Sequence, residues 1–588
     1  MFEQELNRAT NAIQNNLTEQ LIPHPESIQW MPTPFKDQWG YGSNVCFLAA
    51  ALEARDKRGI HVPLRAQELA ESVVDAIGTL PGFSHINAEN GYINLYIEAA
   101  DYAHRVVSTI REEGERYGMG NARNERVMVE YSQPNTHKAF HVGHLRNIIL
   151  GGAMSNIFEF CGYDTIRANY IGDIGWHVIK WIWGYLTFHP GEEPTGDVTR
   201  WMQDIYSQAS QAIDSNPEAE AGARAMFNRW EEKDPEIIAL WEKTRGWSLD
   251  GFQEIYDILG EHFDILFFES EVEDSGKVIV QELIERGLAI DERDQDGPVV
   301  VKLDELLGLD KETYRVLVVL RSDGTSLYAT KEIPLAIKKF KEWNIDRSIY
   351  VIDVRQSLHL KQVFKLLELM GFEQAKNCVH LSYEIVNLPG NVTMSSREGT
   401  VVFFDDLLHE ALTRAAAIVN SKNPHLAEET KVQVARSVAL GALKYPMLSV
   451  DNNKVATFDW ERALDFEGQA SPYIQYAHVR ASSILANSEK LPKVTTPSHE
   501  LTVEEIALLE KLSLFSTEIE RAAKDLKPLH IANYVYDLAK TFTTFYLHCP
   551  VLKAEVDVRN FRLNLTSAAR QVLANALGLL GIDAPTVM

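Results

Sequence analysis

The segment Val127-Met-Val-Glu-Tyr-Ser-Gln-Pro-Asn-Thr-His-Lys-Ala-Phe-His-Val-Gly-His-Leu-Arg146 decides the fold of the central part of the chain. It opens with a short β-rich run (Arg126–Tyr131), passes through a turn and enters a helix that we predict from about Val142 to Phe160. A second strand is predicted at Asp164–Ile171. A strand, a helix and another strand in this order predict a parallel β-sheet with helices on its faces.

The same alternation returns after an intervening segment at about 185–314. Strands are predicted at Arg315–Leu320, Ser348–Val354 and Val379–Val386, with helices at Ala329–Lys341 and Leu358–Leu369. We therefore interpret the intervening segment, which contains a hairpin-like stretch at Asp294–Lys302, as an insertion that splits one sheet domain into two halves.

The flanking regions have different patterns, and 588 residues exceed what one hydrophobic core can serve. Residues 1–123 are predicted to form an α+β domain, with a strand at Gly91–Ile97. After about Leu407 the amphipathic patterns at 430–445, 470–487, 502–525, 528–547 and 559–580 predict a bundle of α-helices. The predicted fold class is multidomain: an N-terminal α+β domain (1–123), a Rossmann-like α/β domain with its connective insertion (124–405) and an all-α C-terminal domain (406–588).

Composition restricts the class of protein. The four cysteines lie far apart and form no CxxC pair, which argues against a zinc knuckle or a disulfide framework and favours a reducing compartment. No apolar signal core or membrane-spanning run is evident, so we expect a cytoplasmic protein without a membrane partner. The formal net charge of −26 argues against non-specific coating of nucleic acid but leaves a local basic groove open.

The tetrapeptide His141-Val-Gly-His144 carries the first chemical signal. It follows a strand and opens a helix, whose free N–H groups and dipole favour phosphate. Both histidines can donate to a triphosphate, and Gly143 lets a base lie close to the backbone. The alternative is a pair of core or metal-binding histidines. No third ligand of suitable spacing is evident, and the position after a strand suits a nucleotide site.

These motifs resemble those of a known family. His141-Val-Gly-His144 is similar to the HIGH motif of class I aminoacyl-tRNA synthetases, and Glu130-Tyr-Ser-Gln-Pro-Asn135 with Lys138 resembles the arginyl-tRNA synthetase form. Arg167–Asp173 continues the likeness. Asp465-Phe-Glu-Gly468 and Pro472–Arg480 resemble the anticodon-binding domain of that family. The resemblance covers most of the chain, and it implies that the 124–405 domain is catalytic and that residues 1–123 contact tRNA.

The resemblance also implies the amino-acid site. It places the arginine ligands at Glu130, Asn135, Tyr328, Glu332 and Gln356, with His141 near the α-carboxylate. Carboxylates and neutral acceptors suit a guanidinium group, which has five donors and no acceptor. Such a site rejects uncharged amino acids strongly, because they would leave its charges unpaired. We therefore expect the insertion to be a structural, tRNA-contacting connector without an editing function.

The second class signature, the KMSKS loop, is degenerate at Val392–Thr400. Met394 and Ser395 match, whereas Thr393 and Ser396 occupy the lysine positions and Arg397 is the remaining cation. The family pairs this loss with a lysine ahead of the HIGH motif, a role that Lys138 fits. The predicted catalytic residues are accordingly His141, His144, Lys138, Ser395 and Arg397, and the predicted ATP-binding residues are His141, Gly143, His144 and Met394.

Four positions depart from the family pattern. Glu332 stands where Asp is usual and Lys331 where Arg is usual. Ile174 replaces the usual Trp, and His177 replaces the usual Gln. These changes affect the expected depth and detail of the amino-acid pocket.

The activity implied is that of an arginine–tRNA ligase. It would use ATP and Mg²⁺, with no protein-held metal site, to activate L-arginine and transfer it to tRNA(Arg), and activation would need bound tRNA. Family members are often monomers, so we expect a monomer. Two alternatives stay open: another HIGH-containing enzyme, such as a different class I synthetase or a small-molecule nucleotidylyltransferase, and a synthetase-like RNA-binding or regulatory protein without catalysis. The degenerate loop motivates the last alternative, while the intact Glu130, Asn135, His141 and His144 argue against it.

Overall fold

The computed structural model describes residues 2–33, 38–388, 392–393 and 402–588. The chain divides into two compact units. One comprises Met1–Tyr117, Ala477–Phe515 and Asp537–Asn575, and the other comprises Gly118–Tyr476, Ser516–Tyr536 and Ala576–Met588. The domain boundaries after residues 123 and 405, and those of the insertion, stay predictions.

The N-terminal part of the first unit is an α+β structure. Its elements are α1 (Glu3–Glu19), β1 (Met31–Thr33), β2 (Trp39–Ser43), α2 (Val45–Asp56), α3 (Val62–Ile77), β3 (His85–Glu89), β4 (Tyr92–Ile97) and α4 (Ala99–Glu113). The strands form an antiparallel sheet in the order β1-β2-β4-β3. Helix α4 buries Tyr102, Val106 and Ile110, which are four residues apart and so share one face. The strand predicted at Gly91–Ile97 is confirmed as β4.

The second unit begins with an α/β region. Its elements are β5 (Arg126–Glu130), α5 (Val142–Phe160), β6 (Asp164–Ile171), α6 (Trp176–Phe188), α7 (Val198–Ser215), α8 (Pro217–Glu231), α9 (Pro235–Leu259), β7 (Ile265–Phe268), α10 (Glu269–Glu285), β8 (Ile290–Asp291), β9 (Val299–Lys302), α11 (Leu303–Leu306), β10 (Val316–Leu320), α12 (Tyr328–Trp343), β11 (Arg347–Asp353), α13 (Ser357–Leu369), β12 (Cys378–Tyr383), β13 (Val386–Leu388) and β14 (Val392–Thr393). In the described residues a parallel sheet runs in the order β12-β11-β5-β6-β7. This is the predicted Rossmann-like arrangement.

Two details of the sheet differ from the sequence prediction. The strand predicted at Arg315–Leu320 exists as β10, but it pairs antiparallel with β9 and lies outside the parallel sheet. The parallel sheet instead includes β7, which lies in the segment that we interpreted as an insertion. Apolar content predicts a strand but not its partner, so this exchange could not be read from the pattern.

Helix α5 packs very closely on Tyr131 and Glu261 because it carries two adjacent glycines. A Cβ atom on Gly151 would lie 2.2 Å from Cγ of Tyr131, and one on Gly152 would lie 2.0 Å from Oε1 of Glu261. Tyr131 donates a hydrogen bond from its hydroxyl to Oε2 of Glu261 (3.0 Å). The glycines therefore fix the distance between α5 and the loop that follows β5, where the HIGH-like motif begins.

Helices dominate the C-terminal part of the chain. They are α14 (Phe404–Lys422), α15 (Glu428–Leu448), α16 (Trp460–Ala463), α17 (Ser471–Ala486), α18 (Val503–Ser513), α19 (Phe515–Asp525), α20 (Leu529–His548) and α21 (Val556–Leu579), with a short strand β15 (Ala456–Thr457) between α15 and α16. The helix predicted over 502–525 is interrupted at Leu514 and forms two helices. No helix in the described part of the chain has the length and apolar character needed to cross a membrane.

Candidate active site

The carboxyl ends of the parallel strands bring the predicted site residues Glu130 and Gln356 to one edge, together with Gly172 and Glu269. Glu130 ends β5, Gly172 follows β6, Glu269 follows β7 and Gln356 closes the short turn after β11. Strand β5 has β6 on one side and β11 on the other, so the strand order reverses next to it. In open parallel sheets, ligands bind in the crevice at the carboxyl ends of the strands, at the point where the strand order reverses.

The loop between β5 and α5 has an unusual backbone. Ser132, Gln133 and His137 all have positive φ angles, of 76°, 50° and 63°. This region is unfavourable for residues other than glycine and is often found at functional sites. The backbone N–H groups of the three residues donate to Asn147 Oδ1 (2.6 Å), Asn169 Oδ1 (3.0 Å) and Ser248 Oγ (2.9 Å) respectively. Side chains from α5, β6 and α9 thus hold the loop in one conformation.

The two histidines of the HIGH-like motif form a stacked pair at the start of α5. Their ring centroids are 3.9 Å apart with an interplanar angle of 24°. His141 is the N-cap residue, and its Nδ1 accepts a hydrogen bond from the N–H of Gly143 (3.0 Å). The N–H of His141 donates to Nδ1 of His144 (3.3 Å). Because Nδ1 accepts in both rings, a neutral ring carries its proton on Nε2.

Both histidines are neutral at physiological pH. Burial, together with the positive charge of Arg355, lowers the pKa of His141 to about 4. Burial and the proximity of His141 lower the pKa of His144 well below its usual value. The charge of Lys138 adds to both effects. The pair therefore offers two neutral Nε2–H donors, and positive charge at this end of the site comes from Lys138 and Arg355.

A cavity of 750 Å³ extends from this loop towards the N-terminus of α12. Among its lining residues are the predicted site residues Asn135, Lys138 and Tyr328. Nζ of Lys138 lies 4.6 Å from the ring centre of Tyr206 on α7, a cation–π distance. Tyr328 is 65% exposed, so its side chain is available to a ligand.

Asn135 depends on a neighbouring glycine for its position. It forms a parallel β-bridge with Gly172, at the end of β6. A Cβ atom on Gly172 would lie 2.4 Å from Oδ1 of Asn135 and 3.7 Å from Oε1 of Glu269. The missing side chain at Gly172 therefore leaves room for the Asn135 amide beside Glu269.

Several carboxylates converge around Tyr170, which lies on β6. Burial raises the pKa of its hydroxyl well above the usual value, and Glu269, Glu332, Glu130 and Asp173 raise it further. The structure thus brings the predicted residues Glu130 and Glu332 into one negative region, together with Glu269 and Asp173. Such a region suits a cationic side chain such as a guanidinium group.

All four of these carboxylates already have a basic partner. Nη1 of Arg245 lies 2.9 Å from Oδ2 of Asp173. Lys331 Nζ lies 2.7 Å from Glu269, and His359 Nε2 lies 2.7 Å from Glu332. Burial raises the pKa of Glu269, although Lys331 opposes the shift. Burial disfavours the charged form of His359, but its hydrogen bond to Glu332 prevails and the pKa of His359 is raised.

Glu130, the fourth paired carboxylate, is 1% exposed and does not line the cavity. Oε1 of Glu130 accepts a hydrogen bond from Nε2 of Gln133 (3.0 Å), and Oε2 forms an ion pair with Lys339. Gln356 is exposed at the N-cap of α13 and does not line the cavity either.

The degenerate KMSKS loop falls largely on residues that the structure does not describe. The predicted site residues Met394, Ser395 and Arg397 all lie outside the described residues. The chain after them is anchored at the HIGH-like motif, because Val142 N–H donates to Val402 O (3.2 Å) and Phe404 N–H donates to Phe140 O (3.0 Å).

Arg146 contacts the chain both before and after the loop. Its guanidinium donates to the carbonyl oxygens of Glu384, Ile385 (2.9 Å) and Lys454 (3.2 Å). Burial lowers the pKa of Arg146 to about 10.

The departures from the family pattern lie in the same region. Ile174 is 5% exposed and packs in the apolar core of α6, α7 and α9. His177 lines the cavity, and burial followed by the charge of Lys138 lowers its pKa to about 3. His177 is therefore a neutral group, as the usual glutamine is.

Sequence reasoning missed Glu269, Arg355, His359 and Lys339. Glu269 and Arg355 each follow a strand of the parallel sheet, and that position was the available signal. His359 and Lys339 are identified by their contacts with Glu332 and Glu130, which sequence spacing does not reveal. Among the described residues no group of three or more His, Cys, Asp or Glu side chains could hold a metal ion.

Comparison with known proteins agrees with this geometry. Residues 106–460 match the family described as tRNA synthetases class I (R), catalytic domain, and residues 474–588 match the DALR anticodon binding domain. An arginine–tRNA ligase of Clostridium botulinum is 36% identical over 517 residues, which are 88% of this chain and 90% of that protein. An arginine–tRNA ligase of Treponema denticola is 38% identical over 511 residues, which are 84% of this chain and 85% of that protein. The Thermus thermophilus arginyl-tRNA synthetase structure superposes with a TM-score of 0.79 at 27% identity, covering 99% of this chain and 100% of that one.

Proposed function

The chain belongs to the arginyl-tRNA synthetase family of class I, and from this premise we propose that it activates L-arginine with ATP and transfers it to the 3′-terminal adenosine of tRNA(Arg). The products are arginyl-tRNA, AMP and pyrophosphate. The observation that carries the proposal is the joint placement of two neutral histidine donors, a lysine cation and a cluster of carboxylates at one edge of the parallel sheet.

The first step is attack of the arginine carboxylate on the α-phosphorus of ATP, with pyrophosphate leaving. Negative charge then develops on phosphate oxygens, and preorganised donors at that point contribute much of the catalysis. The Nε2–H groups of His141 and His144 donate there without carrying charge of their own, because their pKa values are lowered. Lys138 supplies a fixed positive charge, which replaces what the degenerate loop has lost. Mg²⁺, bound through the ATP phosphates, supplies further charge neutralisation.

Arginine recognition rests on the negative region around Tyr170. In our proposal Glu332 and Glu130, which are not among the residues that line the cavity, attract the guanidinium group, while Tyr328, Asn135 and Gln356 supply neutral contacts. Glu269 is an additional candidate for the ammonium group, because it lies beside Asn135 and lines the same cavity. A pocket of this kind favours arginine over neutral analogues, since carboxylate oxygens accept strong hydrogen bonds from a charged guanidinium group and weaker ones from a neutral ligand.

The second step is attack of the ribose hydroxyl of the tRNA terminus on the adenylate. The match of residues 474–588 to the DALR anticodon binding domain supports the proposal that this region binds the anticodon. Unpaired bases are recognised by stacking on aromatic or arginine faces, for which Tyr473, Tyr476 and Arg480 are candidates. We further propose that activation needs bound tRNA, and that the chain works in the cytoplasm as a monomer.

Charging of tRNA(Arg) with competing amino acids tests this function. The assay measures aminoacylation with arginine and with citrulline, which has nearly the same shape but no positive charge. We expect kcat/KM for citrulline to be lower by roughly 10⁴-fold or more, because the site is built to bind a charged donor group. Efficient charging with citrulline, or no charging with arginine, would contradict the proposal.

A further inference from the structure

Helix α12 presents a row of functional side chains along one face. Tyr328, Lys331 and Glu332 occupy its first turns, and Lys339 lies two turns beyond Glu332, so it shares that face. Lys339 nevertheless differs from the others because its side chain is 0% exposed. A lysine that is buried to this degree needs a partner, since an uncompensated charge in the interior is very unfavourable.

The partner is Glu130 at the end of β5. The ammonium group of Lys339 forms an ion pair with Oε2 of Glu130, whose side chain is 2% exposed. The same Nζ lies 4.0 Å from the ring centre of Tyr350, on the neighbouring strand β11. Within the described part of the chain, neither Oε2 of Glu130 nor Nζ of Lys339 has a further hydrogen-bond partner. The other two pairs are more exposed. The side chains of Glu269 and Lys331 are 10% and 11% exposed, and those of Glu332 and His359 are each 20% exposed.

We propose that Lys339 is a positioning residue for arginine binding: it keeps Glu130 ionised and fixed, so that Glu130 can accept from the substrate. This inference rests on the proposed function, in which Glu130 is an arginine ligand. Neither Lys339 nor Glu130 lines the cavity, and the side chain of Lys339 is the more deeply buried of the two. Gln133, which donates to the other oxygen, fixes the orientation of the carboxylate but supplies no charge. Without the lysine, the buried carboxyl group would favour its neutral form and would no longer attract a guanidinium group.

The two tyrosines and the thiol that face this pair do not titrate near neutral pH. Burial raises the pKa values of Tyr350 and Tyr170 well above their usual range. Burial also raises the pKa of Cys378, on β12, to about 11. Glu332 is the other carboxylate whose charge raises the pKa of both tyrosines. The pKa of its partner His359 is raised, and this pair contributes the same pH dependence to the wild type and to every variant. A new pH dependence that appears when Lys339 is replaced, and disappears when Glu130 is also replaced, can therefore be assigned to Glu130.

The test measures the KM for arginine and the KM for ATP in aminoacylation between about pH 6 and about pH 8.5. The variants are Lys339→Met, Lys339→Arg, Glu130→Gln and the double variant Glu130→Gln/Lys339→Met. Lys341→Met is the matched control, because Lys341 lies on the same helix but is exposed. Thermal unfolding of each variant is recorded in parallel.

For Lys339→Met we expect the arginine KM to rise as the pH falls, by roughly tenfold for each pH unit below the new titration of Glu130, while the ATP KM stays unchanged. Lys339→Arg restores the wild-type profile, and the control follows the wild type. In the double variant the pH dependence disappears and the arginine KM equals that of Glu130→Gln. If Lys339→Met does not fold, Glu130→Gln and the double variant still decide the question. An arginine KM that is higher in the double variant than in Glu130→Gln would overturn the proposal.

Three further results would count against the inference. An unchanged arginine KM in Lys339→Met, or a rise that is equal at every pH, would show that Lys339 has only a structural role. An unchanged arginine KM in Glu130→Gln would remove Glu130 from the site and the inference with it. Failure of the wild-type chain to charge tRNA with arginine is a separate result that contradicts the proposed function.

Discussion

Replacement of Gly172 by alanine should disturb the amino-acid site without unfolding the protein. The added Cβ atom would lie 2.4 Å from Oδ1 of Asn135, whereas an ordinary contact is about 3.4 Å. Asn135 must then move by about 1 Å. Its amide oxygen is the end of a side chain, so the movement needs little change in the backbone. Gly172 does not have a positive φ angle, so alanine causes no backbone strain there.

Such a shift should lower catalytic activity much more than it lowers the stability of the fold. Misplacement of a binding group by about 1 Å can reduce the rate by about 100-fold, which corresponds to about 2.7 kcal/mol of transition-state stabilisation. We therefore expect kcat/KM for arginine to fall by about 100-fold in Gly172→Ala. The melting temperature should change by only a few degrees, since a shift of 1 kcal/mol moves it by about 2–4 °C in a large domain.

Steady-state aminoacylation with varied arginine, together with thermal unfolding, measures both effects. Gly246→Ala is the matched control, because a Cβ atom on Gly246 in α9 meets nothing within 4 Å. That variant should keep full activity and gain slightly in stability, as alanine favours a helix over glycine. The reasoning is refuted if Gly172→Ala retains kcat/KM within about threefold of the wild type.

Three further predictions follow from individual contacts. Burial, followed by the charge of Asp197, raises the pKa of Asp405 from 3.8 to about 7, so the free energy of unfolding should fall as the pH rises between these values. Urea unfolding at several pH values should show that Asp405→Asn flattens this part of the profile, and an unchanged slope would contradict the assignment. Arg146→Met should cost about 3 kcal/mol in urea unfolding, because three partly buried carbonyl groups lose their donor, whereas a loss below about 1 kcal/mol would show that the guanidinium is dispensable. Lys138→Met should lower kcat roughly 100-fold with little change in the arginine KM, and a change confined to that KM would place Lys138 in the arginine pocket instead.

Local signals explain what the sequence could predict. Helix α5 was predicted at Val142–Phe160 and is found there, because a capping histidine follows a strand and begins a long apolar run. Strand β6 was likewise predicted with the correct bounds. The HIGH-like motif also predicted the position of His141 and His144 at a helix N-terminus.

Long-range contacts explain what the sequence could not predict. The exchange of β10 for β7 in the parallel sheet depends on which strands pair, and strand propensity does not encode partners. The ion pair of Glu130 with Lys339 joins residues far apart in the chain, and only the fold brings them together. The neutral state of His141 and His144 depends on burial, so it could not be inferred from the motif itself.

Pyrophosphate exchange into ATP tests the central claim most directly. The wild-type chain is assayed with each of the twenty amino acids, with and without total tRNA. We predict exchange with arginine when tRNA is present and none with the other amino acids. Exchange that depends on a different amino acid, or no exchange under any of these conditions, would contradict the account.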